Sequence, residues 1–238
     1  MHSLIIHMTK SHARRPNAER LIQDLPNAEL VEAVDGRDLT RIGSLTIRAG
    51  NLHHPAYPFA LRPAEIGVFE SHRACWQTVL DRGWDRGLIV EDDLAVDPDM
   101  LARALRILDA HMTPDMVVRM PVKDRETPTH VLTQDGEMQL ILPKVIGLQC
   151  ICMAVGARAA ARLLRASREI DRPIDTWLQM HWVTGQPVHT LLPNGNREIA
   201  DAIGGSTIQT RTRASGKLAR EIKRAAYRAK IAARPQKA

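Results

Sequence analysis

Gly87-Leu88-Ile89-Val90-Glu91-Asp92-Asp93 decides how this chain is read, because an apolar run of strand type passes without a linker into three adjacent carboxylates. A short continuous apolar run between polar residues reads as a strand buried on both faces of a sheet. In open α/β sheets, ligands collect outside the carboxyl ends of such strands. Three acids there concentrate negative charge that a hard cation would relieve. Mg²⁺ or Mn²⁺ prefers oxygen ligands and keeps positions open for phosphate. An acidic, solvated turn is the alternative reading of the same residues.

Outward from this strand, secondary structure alternates. Before it, Pro63 suits the first turn of a helix, and Ile66, Phe69, Ala74, Trp76, Val79 and Leu80 recur at helical spacing until Gly83 stops it. Earlier still, Leu4-Ile5-Ile6 reads as a strand, 11–23 as a loop and helix, and 29–34 as a second strand closing at Asp35-Gly36. Downstream, Asp97-Pro98 opens a helix over 99–110, followed by a strand over 116–120. Asp135-Gly136 centres a hairpin over 131–142. A strand over 146–155, a helix over 157–166 and a helix over 174–183 complete the series. This alternation predicts an α/β fold, a mostly parallel sheet with helices on both faces.

The bulk properties fit one catalytic-sized domain: 238 residues support a single substantial core. Aromatic residues at 3% are too sparse for the stacking platforms that grip single-stranded bases, so nucleic acid is not an expected partner. The net charge of +6 belongs to the end of the chain, where ten cations from Arg211 to Lys237 face Glu221 alone and leave the rest mildly acidic. Between Gly216 and Ala232 those cations alternate with Leu218, Ile222 and Ile231 at helical spacing. That pattern predicts a basic helix able to rest on an anionic membrane, or else a frayed terminus. Cys75, Cys150 and Cys152 form no CxxC pair, and Cys150 and Cys152 are expected as core residues on one strand face. With no secretion signal and no spanning apolar run, a cytoplasmic protein is expected. GxGxxG and GxxxxGK[ST] are absent, so phosphate would have to be met by metal and basic side chains.

Glu65-Ile66-Gly67-Val68, then Ser71-His72 and Trp76, then Leu88-Ile89-Val90-Glu91-Asp92-Asp93, resemble the glycosyltransferase family 25 proteins of lipopolysaccharide and lipooligosaccharide biosynthesis. Val34-Asp35-Gly36-Arg37, Pro173-Ile174-Asp175 and Gly205-Ser206-Thr207-Ile208 resemble further family segments, which carries the likeness to about Ile208. His7-Met8-Thr9 stands where the family typically has Asn-Leu, and Arg62 where it has a Ser or Thr cap.

The resemblance implies a GT-A-like (Rossmann-like) domain over 1–208, with 209–238 as a basic helical tail. It implies inverting transfer of a hexose, galactose above all, from a UDP-sugar donor to a lipid-linked saccharide acceptor, with Mn²⁺ or Mg²⁺ as cofactor. Asp92 and Asp93 are then the expected metal ligands, with Glu91 orienting them or the donor sugar. Glu65, Gly67, Ser71, His72 and Arg119 are expected on the donor side. For Glu65 the alternative is a charge complementing the helix dipole, for His72 a hydrogen-bonded buried side chain, and for Arg119 a surface cation. Gly67 implies close approach of a backbone or a ligand. Asp175 is the expected catalytic base, with a helix cap as its alternative, and Asp201 is the second candidate. A catalytically silent domain acting through its tail as a membrane or nucleic-acid adaptor is the competing function.

Overall fold

The computed structural model describes residues 1–42, 45–203 and 217–237. The chain starts with β1 (His2–His7), α1 (Arg15–Asp24), β2 (Ala28–Glu32), the short β3 (Thr46–Ile47) and the long α2 (Pro63–Asp81). Next come β4 (Arg86–Glu91), β5 (Leu94–Ala95), α3 (Pro98–His111), β6 (Val117–Arg119), β7 (Pro128–Asp135) and β8 (Met138–Pro143). They are followed by β9 (Cys152–Gly156), α4 (Ala157–Ala166), β10 (Glu169–Ile170), and the short helices α5 (Ile174–Leu178) and α6 (His181–Thr184). The last elements are β11 (Val188–Leu192), β12 (Arg197–Glu198), a 3₁₀ turn at Ala200–Ala202 and α7 (Lys217–Ala232).

Eight strands form one sheet in the order β2-β1-β4-β9-β6-β11-β8-β7. The α/β class is the one expected, but the sheet is mixed rather than mostly parallel. Six strands share one direction, while β9 and β8 oppose their neighbours. β8 is reversed because the two-residue Gly136-Glu137 turn, closed by the Asp135–Met138 pair, can only join antiparallel strands. β9 is reversed because the segment after β8 returns to the end of β4, turns at Gln149 (φ 83°) and descends with Cys152 beside Val90.

Side-chain alternation divides the core into two layers. Leu4, Ile6, Ile89, Val117, Met153 and Val155 face α2 and α4 with Phe69, Trp76 and Leu163. Ile5, Leu88, Val90, Val118, Cys152 and Ala154 face α1 and α3 with Leu21, Leu101 and Leu108. Cys150 belongs to the first layer and Cys152 to the second, so they do not share a face; the ladder begins only at Cys152. The helix expected over 174–183 is broken at Met180 (ψ 55°) into α5 and α6.

The amino end of α2 docks backbone to backbone against the turn after β2. A Cβ on Gly67 would lie 2.3 Å from the Val34 carbonyl oxygen, and one on Gly36 would lie 1.7 Å from that of Pro63. The close approach at Gly67 is therefore to protein, not ligand. Ser71 Oγ completes the joint, accepting from Val34 N (2.8 Å) and donating to the Gly67 carbonyl (2.7 Å). Gly67→Ala is expected to destabilise the chain by about 1–3 kcal/mol, because rigid backbone cannot yield as a side chain does. Urea unfolding checks this; a midpoint equal to wild type would refute it.

The tail helix lies against the body. Tyr227 and Ile231 of α7 are buried, and Arg172 donates to the Tyr227 hydroxyl at 2.9 Å. Beyond the helix, Gln236 accepts from Val188 N and donates to the carbonyls of Val188 and Pro143. Leu218 and Ile222 remain exposed on the other face. The Gly205-Ser206-Thr207-Ile208 likeness and the boundary at 208 lie outside the described residues. Among the described residues, no helix is long and apolar enough to cross a membrane.

Candidate functional site

β1, β2 and β4 end side by side, and their carboxyl ends open into a cavity of about 390 Å³. The turn from Val34 to Arg37 closes one side, Ala64, Val68 and Ser71 of α2 another, and Met8, Ser11 and Arg14 a third. Glu91, Asp92 and Asp93 form its floor with Glu198. This is the ligand position expected for an open α/β sheet.

The three acids are held differently. Asp92 is buried, and both its oxygens are engaged: Oδ2 with His7 Nδ1 at 2.7 Å, Oδ1 with Arg14 Nη1 at 2.7 Å. Arg14 also reaches Asp93 Oδ2 at 3.1 Å, so one guanidinium bridges the two aspartates. Asn17 donates from one amide to the carbonyls of Asp92 (2.9 Å) and Leu94 (2.8 Å), fixing the backbone around Asp93. From the far side, β5 pairs with β12, and Ile199 N donates to the Asp93 carbonyl at 2.9 Å. Asp93 Oδ1 is buried without a hydrogen-bond partner. Burial, and then the charge of Glu91, push the Asp93 carboxyl up to about 7, against the opposing pull of Arg14. Glu91 keeps about a quarter of its side chain accessible and meets His72 Nε2 at 3.4 Å.

Among the described residues, no group of three or more His, Cys, Asp or Glu side chains converges as a closed metal cage. Mg²⁺ and Mn²⁺ do not need one, since one or two carboxylates suffice when phosphate and water complete the shell. The orphaned Asp93 Oδ1 and the accessible Glu91 are such a pair, and their chemistry fits a hard dication. Asp92, expected beside Asp93 as a ligand, has no oxygen left without a partner unless Arg14 or His7 withdraws.

The other expected residues fall into two groups. Of the donor-side set, Ser71 lines the cavity, while Glu65, Gly67, His72 and Arg119 do not. Glu65 caps α2 from within: Oε2 accepts from Arg62 N at 2.8 Å and Oε1 pairs with the Arg62 guanidinium at 2.9 Å, which replaces the missing Ser or Thr cap. His72 is fully buried behind Glu91 and orients it. Arg119 is a correction: it neither lines this cavity nor lies at the surface. Its guanidinium is 1% exposed, pairs with Glu126 at 2.6 Å and donates to the carbonyls of Leu148 and Gln149. Asp175 lies in the first turn of α5; its Oδ1 accepts from Thr176 N at 2.6 Å and Thr176 Oγ1 at 3.1 Å. Burial raises its pKa, and the Thr176 bonds oppose the shift. Asp201 sits exposed in the 3₁₀ turn.

His7, Arg14 and Asn17 were not anticipated. The departure at His7 from the family's usual Asn-Leu was the available signal, because a titratable side chain at a strand's carboxyl end faces whatever the neighbouring strand presents there.

Residues 1–134 match the family described as Glycosyltransferase family 25 (LPS biosynthesis protein). Human procollagen galactosyltransferase 2 is 31% identical over 114 residues, 44% of this chain and 18% of that protein. A glycosyltransferase 25 family member of Drosophila melanogaster is 25% identical over 79% of this chain and 33% of its own length. The mouse inactive glycosyltransferase 25 family member 3 is 33% identical over 71% of this chain and 30% of its own. The chain thus spans about a fifth to a third of these relatives. Among solved structures, mannose-1-phosphate geranyltransferase from Thermus thermophilus aligns with a TM-score of 0.38 and 13% identity, over 80% of this chain and 73% of that one. Mouse xyloside xylosyltransferase 1 aligns at 0.37 and 11%, over 79% and 77%. Likenesses this loose leave the fold to rest on the chain's own topology. With the match running through β1, the α2 joint and the acidic end of β4, the chain belongs to glycosyltransferase family 25.

Proposed function

We propose that this chain is an inverting glycosyltransferase that moves a hexose, galactose above all, from a UDP-sugar to a saccharide acceptor of a cell-surface glycan. The observation that carries this reading is the acidic end of β4 facing a cavity at the carboxyl ends of three neighbouring strands. The name of the human relative, a galactosyltransferase, supports the choice of sugar. Mg²⁺ or Mn²⁺ held by Asp93 and Glu91 would supply positive charge to the departing diphosphate. The chain's own residues do the rest. His7 and Arg14 fix Asp92, His72 orients Glu91, and Asp175 takes the proton from the acceptor hydroxyl as that oxygen attacks the anomeric carbon. The bond from that carbon to the diphosphate oxygen breaks in line, and UDP leaves with its electron pair.

The second reading, a catalytically silent domain, draws on the Arg14 and His7 bonds that occupy Asp92 and on the relatives named as inactive. A lipid-linked acceptor and contact of the exposed α7 face with the cytoplasmic surface of a membrane belong to the first reading. One incubation separates the two. With UDP-galactose and other UDP-hexoses plus Mn²⁺, slow donor hydrolysis is expected and should fall at least about tenfold in Asp93→Asn, the equivalent of about 1.4 kcal/mol. Absence of hydrolysis with every donor, together with nucleotide binding indifferent to Mn²⁺, would establish the silent domain instead.

A further inference from the structure

We propose that the cavity between α7 and the body binds the acceptor, a saccharide carrying an anionic substituent; as an acceptor site it rests on the transferase reading above. This second cavity encloses about 460 Å³, within the range of small-ligand pockets. The chain has only two tyrosines and two phenylalanines, yet Tyr57, Phe59 and Tyr227 all line this one cavity. Tyr57 meets Phe59 and Tyr227 edge to face, each at 5.5 Å, which fixes the three rings as a rigid wall. Such rings offer apolar faces to the C–H faces of a pyranose and, through tyrosine, a hydroxyl to its oxygens.

Charge selects among saccharides. Arg125, Arg224 and Arg228 border the cavity, Arg224 also pairing with Glu221 at 2.7 Å, and its acid, Glu126, is neutralised from behind by Arg119 at 2.6 Å. Three guanidinium groups beside an aromatic wall suit a sugar bearing phosphate or carboxylate. Position then ties the cavity to the chemistry. Thr176 of its lining donates two hydrogen bonds to Asp175, and the Asp175 charge acts on the phenols of both Tyr57 and Tyr227. The charges of both Asp175 and Glu91 act on the buried Cys150 thiol. The proposed base therefore stands one residue behind the lining of this cavity, held by Thr176. α7, read from sequence as a separate tail, supplies part of the acceptor wall.

Saturation-transfer NMR on the full chain tests this with glucose 6-phosphate, glucuronate and glucose as probes. Saturation of the ring protons is expected for one or both anionic sugars and about tenfold weaker binding for glucose, the equivalent of one good charged contact. The stronger of the two anions identifies phosphate or carboxylate as the substituent. Arg228→Glu, at an exposed position that does not threaten folding, and Phe59→Ala should each weaken that binding about tenfold. No binding of either anion to wild type, undiminished binding in Arg228→Glu, or displacement of the sugar by UDP would overturn the proposal. Hydrolysis of UDP-galactose by the wild-type chain is read in parallel. Its absence removes the transferase reading while the saccharide-binding result stands, whereas hydrolysis without sugar binding removes the acceptor site alone.

Discussion

Replacing Asp175 by Asn is expected to lower kcat for sugar transfer by about 10²–10⁴, the range for loss of a general base, with little change in the KM for the donor. Asn keeps the shape and still accepts from Thr176 N and Oγ1, so a pure helix-capping role would leave kcat within about threefold of wild type. That outcome would sink the base assignment. The pH profile adds a second readout. Burial raises the Asp175 pKa above its ordinary value of about 3.9, and a base must be ionised, so the rate should fall as pH drops through that raised value. The acid limb should therefore lie above the ordinary carboxylate range and vanish in Asp175→Asn. Stability should move the other way. A carboxyl whose folded pKa is raised contributes stability that is complete below its unfolded pKa and lost as pH rises through the folded value. Above its unfolded pKa a carboxyl at position 175 is thus a burden that the neutral Asn does not carry, and the variant should match or exceed wild type in Tm.

The legible parts of the molecule were those specified locally. Leu88, Ile89 and Val90 announce a buried strand whatever surrounds them, and the apolar spacing from Ile66 to Leu80 with Pro63 before it announces α2. Asp135-Gly136 forced the hairpin for the same reason. What escaped depends on distant partners. Apolarity over 146–155 suggested one long strand, but Arg119 draws the Leu148 and Gln149 carbonyls inward and the ladder starts only at Cys152. That same trap removes Arg119 from the donor side, where it was expected. β3 and β10 have two residues each, too few for any period to register. The acidic trio was legible as chemistry but not as geometry. Nothing local distinguishes Asp92 from Asp93; the difference is made by His7, 85 residues away, and Arg14, 78 residues away.

Arg14→Ala should therefore be the most destabilising single change in the site. It removes a cation that bridges two buried aspartates and leaves them beside Glu91 without it. Breaking a buried ion pair by deleting one partner costs about 3–5 kcal/mol, because the abandoned charge remains in a poorly solvated place. For a chain of this size that corresponds to a fall in Tm of roughly 10 °C, at about 2–4 °C per kcal/mol. Arg14→Lys should recover only part of the loss, since an ammonium is a point charge and cannot present two forked donors to two carboxylates. The decisive variant is the double one. In Arg14→Ala/Asp92→Asn the carboxylate that Arg14 served is itself neutral, and the amide can still accept from His7, so much of the stability should return. Chemical denaturation of the four proteins of this cycle gives the coupling directly. A loss below about 1 kcal/mol in Arg14→Ala, typical of exposed pairs, would show that solvent reaches the aspartates and that the clamp is incidental. A large loss with strong coupling would mean that internal cations hold the trio together, fixing Asp92 while Glu91 and Asp93 line the cavity beside it.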